Sequence, residues 1–220
     1  MVVTQKLPVM VNRLLILGAS GHGKVAANCA YTSGKWSSLV FFDDRWPELI
    51  SCGMWSVAGR GDDLFKIAQP DDQVFVAIGN STTRLDWLHQ FQNFGLTIAT
   101  IIHPSAIVSQ GVSIGVGSLI VAGGVVNVGC KIGCGCIVNT GATVDHDCVL
   151  EDGVHVCPGV NLAGEVHVGR KSWIGIGSSV IQCIRIGSGV TIGAGAVVLN
   201  HVEDGLTVVG VPARPIIRKD

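Results

Sequence analysis

The chain has 220 residues, of which 48% are apolar, and a formal net charge of −1. That is material for one large domain, or for a small domain plus a repeat array. The near-neutral charge, without a long basic run, argues against a nucleic-acid or polybasic membrane role. No apolar stretch reaches the ~18 residues needed to span a bilayer. Met1–Asn12 carries one lysine and no long apolar core of the secretory type, so a cytoplasmic location with the eight cysteines reduced is expected. Glycine is frequent, at 30 residues, and aromatics are only 5%, which suits a tightly turning chain with little interior room for rings.

In chain order, Leu14–Leu17 is a short apolar run that leads into a glycine turn, Gly18-Ala19-Ser20-Gly21-His22-Gly23, and a helix to about Thr32. Leu39–Phe42 is a second strand ending at Asp43-Asp44, and Val74–Ile78 another ending at Gly79-Asn80. A helix over Ser81–Phe94 is expected to start from a Ser or Thr cap, and Leu96–Ile102 reads as a last strand. This βαβ grammar implies a small Rossmann-like parallel sheet over residues 1–102. The turn is G-x-x-G-x-G, not the dinucleotide G-x-G-x-x-G, so NAD is disfavoured. A glycine turn that feeds a helix N-terminus still offers backbone N–H groups to a phosphate. Asp43 or Asp44, at the carboxyl end of the next strand, is placed to accept hydrogen bonds from sugar or nucleotide hydroxyls.

Residues 103–220 follow a different rule. From Val108 every sixth residue to Val198 is aliphatic. Two residues before each, the side chain is usually small or Val, as at Cys130, Cys136, Ala142 and Cys148; one residue after, Gly, Asn or Asp is frequent. A period of six fits short strands interrupted by regular turns, with the aliphatic residue pointing inward and the residue after it making the turn. Three strands and three turns close a triangular coil of about 18 residues, and stacked coils bury a continuous aliphatic column. Cys130, Cys134 and Cys136 lie close together but form no CxxC pair, and the repeat accounts for two of them as inward residues, so no metal site is expected.

His146 stands out among the seven histidines. It lies two residues past the inward Val144, at a coil corner, between Asp145 and Asp147. Neighbouring carboxylates raise an imidazole's basicity, as suits a general base.

Several motifs occur together: Gly18–Gly23, Asp43-Asp44, Ala77-Ile78-Gly79-Asn80, His103-Pro104-Ser105-Ala106, the run from Asn139 to Asp147, and Gly210-Val211-Pro212-Ala213-Arg214. On these, nearly end to end, the chain resembles the sugar O-acyltransferase family of hexapeptide-repeat proteins. That family includes sialic acid O-acetyltransferases and bacterial UDP-4-amino-sugar N-acetyltransferases. The resemblance implies a left-handed parallel β-helix, acetyl-CoA as co-substrate, a nucleotide-sugar acceptor and a homotrimer with active sites between subunits. It implies that His146 is the base and that Asp147 supports its basicity. Ser20, Gly21, His22, Asp43, Asp44 and Gly79 match nucleotide-sugar contacts, Asn139 lies by the acceptor, and His155, Ile176 and Ala194 match the acetyl-CoA groove. N-acetylation of a UDP-4-amino-4,6-dideoxy-sugar is the expected reaction. The alternatives are O-acetylation of sialic acid or another sugar, a zinc carbonic anhydrase on the same β-helix, and a non-catalytic trimeric scaffold.

Overall fold

The computed structural model describes residues 11–216. The first half is built on β1 (Val11–Leu17), α1 (Gly21–Ser33), β2 (Trp36–Phe42), β3 (Ser51–Cys52), β4 (Trp55–Gly59), α2 (Leu64–Ile67), β5 (Gln73–Val76), α3 (Ser81–Asn93) and β6 (Thr97–Ile98). The sheet order is β3-β4-β2-β1-β5-β6; β3–β4 is antiparallel and the other pairings are parallel. Because β2 and β5 flank β1 on opposite sides, the strand order reverses there, and ligands of such sheets bind beyond the carboxyl ends at that reversal. Gly18 makes the exit from β1 possible. Its φ is 103°, and a Cβ would stand 2.8 Å from the Ala77 carbonyl oxygen, so no L-residue fits.

Both faces of this sheet are covered. On one, Ala26, Ala27, Cys29 and Ala30 of α1 pack with Leu14, Ile16, Phe41 and Phe75, and with Ile101, Leu119 and Val121 from the second half. On the other, Leu85, Leu88 and Phe91 of α3 pack with Leu15, Leu17, Val74 and Val76. The small residues of α1 let it lie close between sheet and coils. The cap of α3 is Asn80, whose side chain accepts from Thr83 N, and not the expected Ser or Thr.

The second half is a stack of two-residue strands, each pairing in parallel with the strand 18 residues on, as Ile120, Val138, Val156, Ile174 and Ile192 do. The expected strand over Leu96–Ile102 divides between the halves: Thr97–Ile98 joins the sheet, while Ile101–Ile102 pairs with Leu119–Ile120 as the first rung of the stack. Three parallel sheets form the faces of a prism. The first face runs through Leu119, Ile137, His155, Trp173 and Thr191; the second through Val125, Thr143, Asn161 and Ser179; the third through Lys131, Val149, His167 and Arg185. The aliphatic column is buried from Ile120 to Val198, each residue contributing roughly 1.5–3 kcal/mol by leaving water, with Val108 and Ile114 half-buried at its start.

The turn chemistry differs from the sequence expectation. The left-handed backbone occurs three residues after each inward aliphatic, at every sixth position from Gly111 to Gly195, and not one residue after it. The glycine directly after the aliphatic serves another end: a Cβ on Gly115 would stand 2.5 Å from Cys134 N, and one on Gly175 2.5 Å from the Ile192 oxygen. Those glycines let one coil lie on the next.

Candidate functional site

Residue column by residue column, the prism places the candidate groups at two of its corners. His146 stands where the second face turns into the third. Asp147 carries one of the few non-glycine left-handed backbones, with φ of 57°, a conformation Asp tolerates better than most residues. Its carboxylate meets His146 Nδ1 at 2.9 Å, and the Asp145 carboxylate accepts from His146 N at 2.8 Å and from Asn127 Nδ2 at 2.8 Å. The side chains of His146 and Asp147 are more than half exposed, so both are open to a reactant. The Asp147 hydrogen bond raises the imidazole above its ordinary value, and the charges of Asp145 and Glu165 act in the same direction. With Nδ1 held by Asp147, Nε2 is the nitrogen left to move a proton. It lies over Gly164, one coil on, where a Cβ would overlap it; a Cβ on Gly129, one coil before Asp147, would overlap that carboxylate. The sequence reading did not single out these two glycines. The signal available is their place 18 residues after His146 and 18 before Asp147.

The other candidates gather on the first face and at the corner where it turns into the second. His155 is 4% exposed, with the Trp173 ring tilted against it at a 4.2 Å centroid distance and 57° between planes, and Asn139 Nδ2 3.2 Å from its Nε2. The glycine turn brings His22 to 6.1 Å from it. Burial, and then the nearby Arg84 charge, depress both rings, His22 to about 4 and His155 to about 3. The residue types give the reason for this docking. Outward positions on the first face are Leu119 and Ile137, buried under the α/β domain, before the column changes to His155 and Trp173. Ile176 and Ala194 line a groove of about 410 Å³ at the same corner, together with Trp173 and Pro158. His155 is not among its lining residues; it sits behind Trp173 and faces the turn. The exposed aliphatic Ile176 and the glycine-rich walls fit a thin, flexible, largely apolar arm such as pantetheine.

At the turn, Asp43 is occupied within the chain. Its Oδ2 accepts from Ala19 N at 2.8 Å and from Arg45 Nη2 at 2.9 Å, and its Oδ1 from Arg45 Nε at 2.7 Å. The Arg45 hydrogen bonds hold it down to about 2. Asp44 Oδ1 accepts from Gly61 N at 3.2 Å, which leaves its second oxygen open. Ser20 precedes α1, Gly21 is its first residue, and Gly79 lies beyond β5, so all three stand at the carboxyl edge of the sheet. No acidic residue occupies the first turn of α1 or α3, which leaves both helix N-termini electropositive.

Within one chain, therefore, Ser20, Gly21, His22, Gly79, Asn139, His155, Ile176 and Ala194 lie on one side of the prism, and His146 with Asp147 lies one corner away, across the second face. Cys148, next to His146, is fully buried, and its thiol donates inward to the Ala163 oxygen at 3.2 Å. His146, His155 and His167 take separate partners: Asp147, Asn139 and Glu151 respectively. Among the described residues no group of three His, Cys, Asp or Glu is arranged to hold a metal ion, and no helix is long and apolar enough to cross a membrane.

A prism of hexapeptide coils, an α/β domain with a phosphate-type glycine turn and a carboxylate-backed histidine at a corner together define a hexapeptide-repeat acyltransferase. Residues 13–91 match the PglD N-terminal domain, and residues 165–200 match the bacterial transferase hexapeptide of six repeats. The acetyltransferase domain of PglB from Neisseria gonorrhoeae FA1090, solved with acetyl coenzyme A, is 41% identical, with a TM-score of 0.90 over 93% of this chain and 98% of that one. A mutant perosamine N-acetyltransferase from Caulobacter crescentus, solved with CoA and GDP-perosamine, is 32% identical, with a TM-score of 0.86 over 96% and 99% of the two chains. UDP-N-acetylbacillosamine N-acetyltransferase from Bacillus subtilis (strain 168) is 33% identical over 114 residues, 51% of this chain. The match spans about half of that enzyme, 52%, and in the curated serine acetyltransferases it is shorter still, 15% of the one from Buchnera aphidicola. The chain belongs to the acetyl-CoA-dependent sugar acetyltransferases built on a left-handed hexapeptide β-helix.

Proposed function

We propose that this enzyme transfers the acetyl group of acetyl-CoA to the amine of a nucleotide-linked 4-amino-4,6-dideoxy-sugar, a UDP-sugar in the first instance, with His146 as general base. The observation that carries the reading is the His146–Asp147 pair: an exposed imidazole, basic by virtue of its carboxylate, with Nε2 directed over a residue that has no side chain. The acceptor phosphates sit at the Gly18–Gly23 turn, with Ser20, Gly21, His22, Asp43, Asp44 and Gly79 around the nucleotide and Asn139 by the sugar. The thioester arm runs past Ile176 and Ala194, with His155 behind Trp173. Nε2 of His146 takes a proton as the amine attacks the thioester carbonyl, the C–S bond breaks, and the imidazolium returns that proton to the departing sulfur, so that CoA leaves as the thiol. The inward, buried Cys148 is not placed for an acyl-enzyme, so transfer is direct.

The two-corner arrangement adds a requirement. The base lies one face away from the turn and the groove of its own chain, so a complete site needs a second copy whose His146 corner faces them. A homotrimer meets that need. The PglB domain was solved with acetyl coenzyme A and the perosamine enzyme with GDP-perosamine, and both support this pairing of donor and acceptor classes.

The test is free-thiol release from acetyl-CoA with a panel of UDP- and GDP-linked 4-amino-sugars and free sialic acid. Turnover with an amino sugar is expected. Turnover with sialic acid alone would move the reaction to O-acetylation. Acetyl-CoA binding without turnover across the panel would overturn the acceptor.

A further inference from the structure

Arg84 is the largest fully buried side chain among the described residues, 0% exposed, and lies at the seam between the two halves. It belongs to the second turn of α3, yet its guanidinium spans four segments. Nη1 donates to the Ile78 and Gly79 oxygens at 2.7 and 2.8 Å, beyond β5, where the sheet's ligand edge lies. Nε donates to the Gly135 oxygen at 2.7 Å and Nη2 to the Gly153 oxygen at 2.9 Å, at the corners of two successive coils, with Ser81 Oγ at 3.4 Å. These partners are carbonyls and a hydroxyl; none is a carboxylate.

A buried guanidinium normally has an anion beside it, because taking the charge out of water costs several kcal/mol. Satisfied donors alone leave the charge uncompensated. The ionisable neighbours do not supply an anion: burial pushes the Cys136 thiol, the group that acts on Arg84 by charge, up to about 12, so it stays protonated. Burial and the Arg84 charge leave His22, from the start of α1, and His155, from the coils, uncharged at neutral pH. Asn139 is uncharged, Asp43 is already paired with Arg45, and Asp44 accepts from Gly61 N. Two nitrogens of the same seam, His22 Nε2 and His155 Nδ1, are buried without a hydrogen-bond partner, the latter in a residue 96% out of solvent by its 4% exposure. The seam thus holds a cation without a counter-ion, two unsatisfied ring nitrogens and two helix N-termini without acids.

From these observations we propose that Arg84 is a specificity-determining residue: its buried charge makes the seam selective for acceptors that carry phosphate, and against free amino sugars. The inference rests on the acceptor class proposed above and adds the group that enforces it. Arg84 acts through space and through the segments it holds, so it is a positioning residue and not a catalytic one.

The experiment compares UDP with uridine by calorimetry on the full chain, with GDP as a second nucleotide and acetyl-CoA binding as the control, in wild type, Arg84→Met and Arg84→Lys. Wild type is expected to prefer UDP over uridine strongly. Arg84→Met is expected to reduce that preference on the order of tenfold, the size of one charge–phosphate interaction across a partly screened interior. Arg84→Lys is expected to keep the preference while losing thermal stability, because the charge stays and the carbonyl bonds go. A purely structural Arg84 would weaken UDP and uridine alike and leave their ratio unchanged in Arg84→Met, which would overturn the proposal. Should Arg84→Met fail to fold, the wild-type ratio and Arg84→Lys still decide: uridine binding as tightly as UDP, or loss of the preference in folded Arg84→Lys, would overturn it. Wild type that binds acetyl-CoA but neither UDP nor GDP would overturn the acceptor class itself, and is told apart from failure of the Arg84 role by that control.

Discussion

The coil stack and the α/β domain hold their candidate groups by opposite means. In the stack one backbone recurs coil after coil, so a functional residue appears as a departure from the pattern. Asp147 occupies a left-handed corner where Gly129 and Gly141 stand on the same period, and Gly164 leaves bare the spot on which the His146 ring rests. In the α/β domain nothing recurs. His22 and Arg84 matter because distant segments converge on them, and single-residue departures have no reference. The stack therefore confines a functional change to a corner, while the seam couples function to the joining of two halves.

Breaking the stack side of this contrast should give the largest effect. His146→Ala removes an exposed ring from a corner whose backbone is fixed by the coils, so melting should be unchanged while kcat falls by about 10²–10⁴, the usual range for a general base. Initial rates and a thermal melt on one preparation check it; near-normal turnover would remove the catalytic role. Gly164→Ala comes next. Gly164 is not in the left-handed region, so alanine meets no backbone objection, and the clash is with the movable His146 ring. Moving Nε2 by about an ångström should lower kcat by up to ~10²-fold. The same substitution in a His146→Ala background should cost little more, since the group it displaces is gone; an undiminished loss there would mean Gly164 acts through the fold.

Asp147→Asn should have a smaller effect, but one whose sign is informative. The Asp147 hydrogen bond raises the His146 pKa, and the proposed base works only as neutral imidazole, so wild-type activity is expected to rise with pH through that raised value. Without the carboxylate the pKa falls. The acid limb of kcat/KM should move to lower pH, while the plateau drops by roughly tenfold because the base is weaker. An acid limb that stays in place would separate Asp147 from the titration.

Much of this was legible in the chain. The six-residue period from Val108 to Val198 locates every rung from Ile107–Val108 to Val197–Val198, because a strictly repeating coil leaves the inward residue no freedom. The glycine one residue after the aliphatic was legible as a glycine but not in its role, since coil-to-coil approach is not a local property. The division of Leu96–Ile102 was hidden because both pieces are short and apolar, and only their partners differ. Residues 51–67 gave no signal; their strands and helix are short and stand on contacts with β2. His155 was legible as a candidate only through family resemblance, yet the column Leu119, Ile137, His155 holds a local clue. Apolar residues at outward rung positions mark the face another domain covers, and a histidine at the end of that run marks the edge of the cover. Arg84 had no comparable mark: in a helix it reads as a surface arginine, and its burial is decided by Gly135 and Gly153, 51 and 69 residues away.

The seam also makes a prediction about acid, the smallest effect of the set. His22 and His155 are held to about 4 and about 3 in the folded chain, below the ordinary 6.5 of an unfolded histidine. The sign follows from proton counts. Above pH 6.5 neither state binds a proton at these rings and they contribute no pH dependence. As pH falls below 6.5 the unfolded chain takes up protons that the folded chain refuses, so stability is lost, and the loss continues until the folded rings themselves titrate near 4 and 3. Each refused proton is worth about 1.4 kcal/mol per pH unit. Melting temperature should therefore decline between pH 6.5 and 4.5 by a few degrees more in wild type than in His155→Gln, whatever the packing cost of that variant at pH 7.5. An equal decline in both would mean the ring is reached by water in the folded state. His146 provides the contrast within one chain: exposed and raised by its carboxylate, it favours the folded state as pH falls. Acid should thus strain the seam, while at the coil corner it should switch off the proposed base and leave the stack in place.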